Sequence, residues 1–163
     1  MNDGLHRISR IEIESPGVVR FHPDVEREIQ VAVFDLVQEN LFRPDASFFD
    51  APPAGPYALT LAIAENRLNF RIATEDGNEF GTVLVPLGAF RKIIKDYFLI
   101  CESYYNAIRS ASPSQIEAID MGRRGLHDEG SERLRSQLAG RVAVDHHTAR
   151  RLFTLICSLH IRA

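Results

Sequence analysis

Cysteine and long apolar runs are both scarce in this sequence of 163 residues. Its two cysteines, Cys101 and Cys157, lie inside apolar segments and form no CxxC pair, which is typical of buried thiols in a reducing compartment. The longest apolar run, residues 152–157, is far shorter than the roughly 20 residues that a membrane-spanning helix needs. The first residues contain no apolar segment of the signal-peptide type. We therefore expect a cytoplasmic protein with no membrane partner.

Motifs of catalysis and cofactor binding are also missing. The sequence contains no GxSxG, no GxGxxG and no zinc-finger spacing. Residues 125–131, GLHDEGS, have the glycine spacing of a P-loop, but the lysine is absent, two acids line the loop, and a predicted helix precedes it instead of a strand. We predict no cofactor and no catalytic residue, which favours a protein that is not an enzyme.

The net charge of −3 gives no overall attraction to nucleic acid or anionic lipid. Its distribution is uneven, because residues 1–81 hold 14 of the 22 acidic and 7 of the 19 basic residues, which leaves 8 and 12 for residues 82–163. Such a split is expected of a basic binding face, or of two layers that attract each other within one chain or across a dimer. A helix-turn-helix would use LHDEGSERL to recognise DNA, but the acids in that segment would face the phosphates. We expect no nucleic-acid partner.

A hydrophobic content of 45% predicts one domain over residues 1–163 that buries its own core. In the first part, residues 1–86, a short strand around Ile11 and Ile13 precedes a helix that begins at Pro23. Residues 44–56 are rich in proline and predict a loop. A three-stranded meander follows. Glu65-Asn66 can form its first turn, and Asp76-Gly77 is the stronger signal for a type I′ turn.

The second part, residues 87–163, has helical periodicity throughout. One apolar seam runs from Phe90 to Ile108, and this helix is predicted to be central in the helical layer. SPSQ at residues 112–115 is a capping box that begins another helix, and Asp145 caps the last one. The predicted fold class is α+β. A small antiparallel sheet packs on an amino-terminal helix, and a layer of about four helices follows.

The segment DMGRRGLHDEG, residues 120–130, admits two interpretations. In the first, Gly125 ends one helix and Asp128 and Glu129 begin the next, so that the segment is a joint between helices. Ion pairs Asp120–Arg124 and Glu129–Arg133 fit their i,i+4 spacing. These features account for each charged residue of the segment except His127.

In the second interpretation, the segment is a ligand-binding site. A helix amino terminus near Arg123, Arg124 and His127 could hold a phosphate or a carboxylate. Asp128 and Glu129 argue against this site, because they would place negative charge beside the anion.

The six histidines do not predict a metal site, since none of them makes the HxxxH spacing that places two imidazoles on one helical face. The spacing does not exclude a cluster of Asp145, His147 and His127 that forms only when the chain folds. Cys157 and His160 have the i,i+3 spacing of a thiolate pair, but the apolar residues around them favour a packed core. The histidines are His6, His22, His127, His146, His147 and His160.

Three segments carry a resemblance to a known family: KDYFLICESYYNAI, PSQIEAIDMGRRGLHDEG and TARRLFTLICSLH. They resemble an uncharacterised family of short, single-domain, chiefly alphaproteobacterial proteins, and the resemblance covers nearly the whole chain. It implies a cytoplasmic bacterial protein and supplies no activity, cofactor or catalytic residue.

Two functional hypotheses follow from these observations. The favoured one is a non-enzymatic adaptor or regulatory protein that acts through protein contacts, and its partner could be a second copy of the chain in a homodimer. It is based on the absence of catalytic motifs and on the uneven distribution of charge between the two halves of the sequence. The alternative is an enzyme or small-ligand binder that holds a phosphate or carboxylate at Arg123, Arg124 and His127. That alternative predicts a concave pocket around these three residues.

Overall fold

The computed structural model describes residues 5–14 and 23–162, apart from the side chains at positions 24, 25 and 160–162. Helices and strands alternate in the first half of the chain, and helices dominate the second half. The elements are β1 (Ile8–Ile13), α1 (Pro23–Gln38), β2 (Phe42–Pro44), β3 (Tyr57–Ala64), β4 (Arg67–Thr74), β5 (Glu79–Pro86), α2 (Arg91–Ser110), α3 (Pro113–Leu138), β6 (Val142–Val144) and α4 (His146–Arg162). The fold class is α+β, as predicted.

The main sheet has four strands in the order β1-β3-β4-β5. The meander β3-β4-β5 is antiparallel, but β1 pairs with β3 in parallel, so the sheet is mixed where the sequence predicted an antiparallel one. Parallel pairing is possible because α1 lies between β1 and β3 in the chain and returns it to the same end of the sheet. One side of β4, with Leu68, Phe70 and Ile72, is fully buried and forms the floor of the core.

The first hairpin turn forms as predicted, and the second differs from its prediction. Glu65 and Asn66 both have positive φ, 53° and 64°, and join β3 to β4 in the two-residue turn that this conformation favours. In the second hairpin only Gly77 has positive φ, at 93°, and the amide of Thr74 bonds the carbonyl of Asn78 around a longer loop. The type I′ geometry therefore belongs to Glu65-Asn66 and not to Asp76-Gly77.

A second sheet of two short strands joins distant parts of the chain. Phe42 of β2 lies opposite Val144 of β6, in the antiparallel pairing that continues to Pro44 and Val142. Neither segment is predicted as a strand, since three residues are too few for an alternating pattern to be distinctive. Only the pairing across about a hundred residues identifies them.

The helix at the centre of the helical layer is α4, not α2. Every side chain of α4 from Leu152 to Leu159 is buried, and α4 contacts α1, α2, α3 and β3. The prediction for α2 was wrong because two of its apolar residues, Leu99 and Ile108, are more than half exposed. No helix among residues 5–14 and 23–162 is long and apolar enough to cross a bilayer.

Helix α3 runs without a break through the predicted joint at Gly125. Its capping box forms as predicted, since the Ser112 hydroxyl accepts from the Gln115 amide and the Gln115 side chain accepts from the Ser112 amide. Gly125 does not have the positive φ of a helix-ending residue, whereas Gly140, after the end of α3, has a φ of 86°. The helix-joint interpretation was therefore wrong, and residues 87–162 contain three α-helices where about four were predicted.

Candidate functional site

A cleft of about 260 Å³ lies among the four helices and contains all three residues of the predicted ligand site. Arg123 and His127 are one helical turn apart on α3, and Arg124 is beside them, so an unbroken helix presents them together. Helix α4 contributes two further arginines and helix α1 one acid. The ionisable residues that line the cleft are Glu28, Tyr97, Arg123, Arg124, His127, Arg150 and Arg151.

The continuous helix changes the basis of the predicted site. Arg123 to His127 lie in the middle of α3, where the backbone amides are bonded within the helix and cannot bind an anion. The predicted contribution of a helix amino terminus is therefore wrong. Any anion in the cleft would depend on the guanidinium groups of the arginines.

The guanidinium group of Arg123 is held by protein contacts on several sides. Its Nε and Nη2 donate to Oδ1 of Asp120 at 3.1 and 2.7 Å, and its Nη1 lies 4.0 Å from Oε2 of Glu28. The group also stacks over the ring of Tyr104, 4.8 Å from the ring centre. Burial is the largest single effect and opposes its charge, but the bond to Asp120 and the charge interactions with Tyr97, Glu28 and Asp120 together outweigh it and raise the pKa of Arg123. Arg123 is thus a fixed positive charge at one wall of the cleft.

The other arginines retain more unused hydrogen-bond donors. The side chain of Arg124 is 60% exposed and meets Asp120 only through Nε, at 3.1 Å from Oδ2. Arg150 of α4 donates through Nη1 to Asp128 of α3. Arg151 reaches the carbonyl of Glu39 through Nη1 at 3.5 Å, a long contact. Each guanidinium has five N–H donors, so most donors of these three arginines are available to a ligand.

His127 is buried and neutral. Its Nε2 lies 2.7 Å from the hydroxyl of Thr154, which in turn donates to the carbonyl of Arg150 at 3.2 Å. Because the Thr154 hydroxyl has a single proton, Nε2 carries the histidine proton and donates it. The ring packs edge-on against Tyr97 and Phe153, with centroid distances of 5.3 and 5.2 Å.

The environment of His127 disfavours its charged form. Burial is the largest cause, and the positive charges of Arg150 and Arg123 add to it, so that the pKa falls from 6.5 to about 4. At neutral pH, His127 therefore contributes no positive charge to the cleft. Its bond to Thr154 instead fixes α3 against α4 at the cleft wall.

Asp128 and Glu129, which argued against an anion site because of their negative charge, are paired with arginines in the folded chain. Asp128 pairs with Arg150, and Glu129 lies 3.8 Å from Arg133, the partner predicted for it. Neither acid lines the cleft. The acid that does so is Glu28 on α1, whose Oε1 accepts a hydrogen bond from the Tyr97 hydroxyl at 2.7 Å.

Sequence reasoning did not identify Glu28, Tyr97, Arg150 or Arg151 as parts of this site. The basic second half of the sequence contains other arginines, and the fold uses several of them elsewhere. Arg133, Arg135 and Arg141 donate to the backbone carbonyls of Ala89, Val144 and Leu84, respectively. No local pattern distinguishes the two sets, because the difference arises from which helices meet.

The other candidates from the sequence are the histidines as metal ligands and the pair of Cys157 and His160. No group of three or more metal-binding side chains occurs within residues 5–14 and 23–162. In particular, Asp145 caps α4 by accepting from the Thr148 amide, and His146 pairs with Glu132. His22 and the side chain of His160 fall outside the described part, whereas Cys157 is buried in the core as predicted.

A second cleft, of about 500 Å³, lies between the proline-rich loop and the β4-β5 hairpin. Its ionisable residues are all acidic: Glu75, Asp76 and Glu79. Asp76 accepts hydrogen bonds from Thr74 and Asn78, which lower its pKa, so the acid is used to shape the turn. This cleft contains none of the predicted site residues.

Comparison with known proteins places the chain among bacterial relatives of similar length. It is 54% identical over 157 residues to a UPF0262 protein of Methylobacterium radiotolerans, covering 96% of this chain and 94% of the relative. It is 53% identical to one from a Bradyrhizobium species, over 98% and 92% of the two chains, and 57% identical to one from Rhizobium meliloti, over 88% and 87%.

No solved structure matches the chain. The family model of the uncharacterised protein family UPF0262 matches residues 5–162. This match agrees with the resemblance of the three segments in the sequence and with the alphaproteobacterial relatives. The chain belongs to the uncharacterised protein family UPF0262.

Proposed function

We propose that this protein binds a small anion, a phosphate or a carboxylate, in the cleft among its four helices. The observation that carries the proposal is the convergence of Arg123, Arg124, Arg150 and Arg151, from two helices, on one concave site. Glu28 is the one acid in the lining, and His127 is neutral, so the cleft has an excess of positive charge. Guanidinium groups suit this role because their paired donors match the oxygens of phosphate and carboxylate.

The contacts of Arg124 and Arg150 leave them able to rearrange around a ligand. Both pair with acids at the protein surface, through one edge of the guanidinium each. Ion pairs of this exposed kind contribute little to stability, so a ligand can recruit the remaining donors at small cost. Arg123, by contrast, is fixed by Asp120 and Tyr104 and supplies a preorganised charge.

The proposal is tested by thermal unfolding with inorganic phosphate, acetate or chloride at constant ionic strength. A ligand at one hundred times its Kd stabilises by about 2.7 kcal/mol, which for a domain of this size raises Tm by roughly 5–10 °C. We expect phosphate or acetate to raise Tm, and Arg124→Ala to abolish the rise.

The matched control is Arg133→Ala. Arg133 lies on the same helix and also pairs with an acid at i,i+4, but it is outside the cleft. This variant should keep the full response. An equal response in Arg124→Ala and in the wild type, or no response to either anion, would refute anion binding in the cleft.

A second candidate is the adaptor or regulatory role, in which the protein acts through a protein partner or a second copy of itself. It is favoured by two exposed apolar side chains one turn apart on α1, Val31 and Phe34, which are 51% and 64% exposed. Val31 also lies in the lining of the cleft, so a partner at this position would contact the cleft as well. Gel filtration with light scattering on the wild type and on Phe34→Ser tests this role. A monomer at all concentrations that also captures nothing from a bacterial lysate would contradict it.

A further inference from the structure

We propose that the ligand of the cleft is a phosphate ester that carries hydroxyl groups, with a hydroxyl donating to Glu28 while Arg124 and Arg150 hold the phosphate. The inference rests on the proposed function and specifies its ligand. Its starting point is the position of Glu28, a carboxylate in the lining of a cleft that otherwise suits an anion. A site for a bare anion would gain nothing from that carboxylate, which repels it.

The two oxygens of Glu28 have different surroundings. Oε1 accepts the hydrogen bond from the Tyr97 hydroxyl at 2.7 Å, whereas Oε2 is 4.0 Å from Nη1 of Arg123, beyond hydrogen-bonding distance. The side chain is 30% exposed and lies in the lining of the cleft. A carboxylate oxygen can accept about two hydrogen bonds, which leaves acceptor capacity at this position.

Tyr97 holds the Glu28 carboxylate in place. Its ring is buried between His127 and Phe153, at centroid distances of 5.3 and 6.3 Å. Burial, together with the negative charge of Glu28, raises the pKa of Tyr97, so its hydroxyl keeps its proton and stays a donor. The acceptor is therefore oriented before a ligand arrives, which reduces the entropic cost of binding.

The charge of the cleft selects a neutral donor over a cationic one. An ammonium group at Glu28 would lie near Arg123 and within a lining that contains three further arginines, so it would be repelled. A hydroxyl makes a charge-assisted hydrogen bond to the same carboxylate without that repulsion. A phosphate at the arginines and a hydroxyl at Glu28 together describe a polyol phosphate.

Two probes isolate the hydroxyl groups: glycerol 3-phosphate and propyl phosphate, which share a three-carbon chain and a phosphate monoester. Calorimetry at fixed ionic strength would give Kd for both probes and for inorganic phosphate. A hydrogen bond to a charged group predicts that the wild type binds glycerol 3-phosphate about tenfold more tightly than propyl phosphate. This ratio needs no variant, so it does not depend on how well a variant folds.

The variant Glu28→Gln keeps the size of the side chain and removes its charge. We expect it to reduce the tenfold ratio, because the hydrogen bond from the ligand hydroxyl loses its charge assistance. If Glu28 only anchors Tyr97, the variant loses stability but leaves the ratio unchanged, which would overturn the inference.

The two proposals fail in distinguishable ways. If the wild type binds all three phosphates equally, the hydroxyl inference is refuted and anion binding stands. If it binds none of them, the phosphate-ester inference is refuted, and the thermal test with acetate decides whether the cleft binds a carboxylate instead.

Discussion

The phenyl ring of Phe153 occupies the space that a side chain at position 130 would need. A Cβ atom built on Gly130 would lie 2.1 Å from Cζ of Phe153 and less than 3 Å from two more ring atoms. Helices α3 and α4 therefore approach closely at this point. The same ring packs against His127, so the contact also supports the wall of the cleft.

Gly130→Ala should destabilise the protein. Alanine favours the helix, but its methyl group would overlap a buried ring that is packed on several sides, and overpacking of this kind costs about 1–3 kcal/mol. Urea unfolding would measure the change in free energy. A variant as stable as the wild type would show that α3 and α4 are further apart than described.

Gly125→Ala is the matched control on the same helix and should stabilise the protein. A Cβ atom there has no neighbour within 4 Å, and the residue lacks the positive φ that alanine would resist. Replacing an exposed glycine within a helix by alanine contributes about 0.5–1 kcal/mol. A loss of stability would instead support the helix joint that the sequence suggested.

Glu65→Asn should also stabilise the protein. Glu65 has a φ of 53°, a left-handed conformation that asparagine adopts more readily, so we expect a gain of roughly 0.5–1 kcal/mol in unfolding free energy. Glu75→Asn is the control, because Glu75 lies in the other hairpin loop and does not have a positive φ. Equal effects at the two positions would contradict the assignment of the type I′ turn.

The buried His127 should make stability depend on pH. Its pKa is about 4 in the folded protein and 6.5 ordinarily, so between these values the unfolded chain binds the proton and the folded chain does not. The contribution of His127 is complete above pH 6.5 and is lost as the pH falls toward 4, by about 3 kcal/mol in all. Unfolding measured between pH 7 and pH 5 should show this slope, and His127→Gln should lack it.

The titration of His127 can also be observed directly. Its ring resonances in an NMR pH series should shift with a midpoint near pH 4. A midpoint between 6 and 7 would mean that the ring is solvated, and the predicted slope would then have another source.

Both cysteines should be unreactive in the folded protein. Burial raises the pKa of Cys101 to about 11 and that of Cys157 well above its ordinary value of 9, so neither forms the reactive thiolate at neutral pH. A thiol reagent should modify no cysteine in the native state and both in urea. Rapid native modification of either one would contradict the described core.

Local interactions in this protein could be predicted from the sequence. The capping box at Ser112, the cap at Asp145 and the ion pair between Asp120 and Arg124 all form as expected. Each of these depends on residues a few positions apart, whose geometry is set by the helix or strand itself.

Gly125 shows where local reasoning fails. The glycine, the arginines before it and the acids after it fit a helix end, but a helix continues when packing along its length outweighs the preference of one residue. The ring of Phe153 against Gly130 and the bond from His127 to Thr154 supply such packing to α3. Neither contact can be recognised from the residues of segment 120–130, because its partner lies on α4.

The sequence by itself determined the α+β class, the starts of α3 and α4, and the family. The tertiary structure alone decided that Glu28, Arg123 and Arg150 line one cleft. These residues come from three helices separated by tens of positions, and they meet because α4 is buried among the others. The arrangement of helices is set by the packing of the whole core, a property of all the contacts together and not of any single segment.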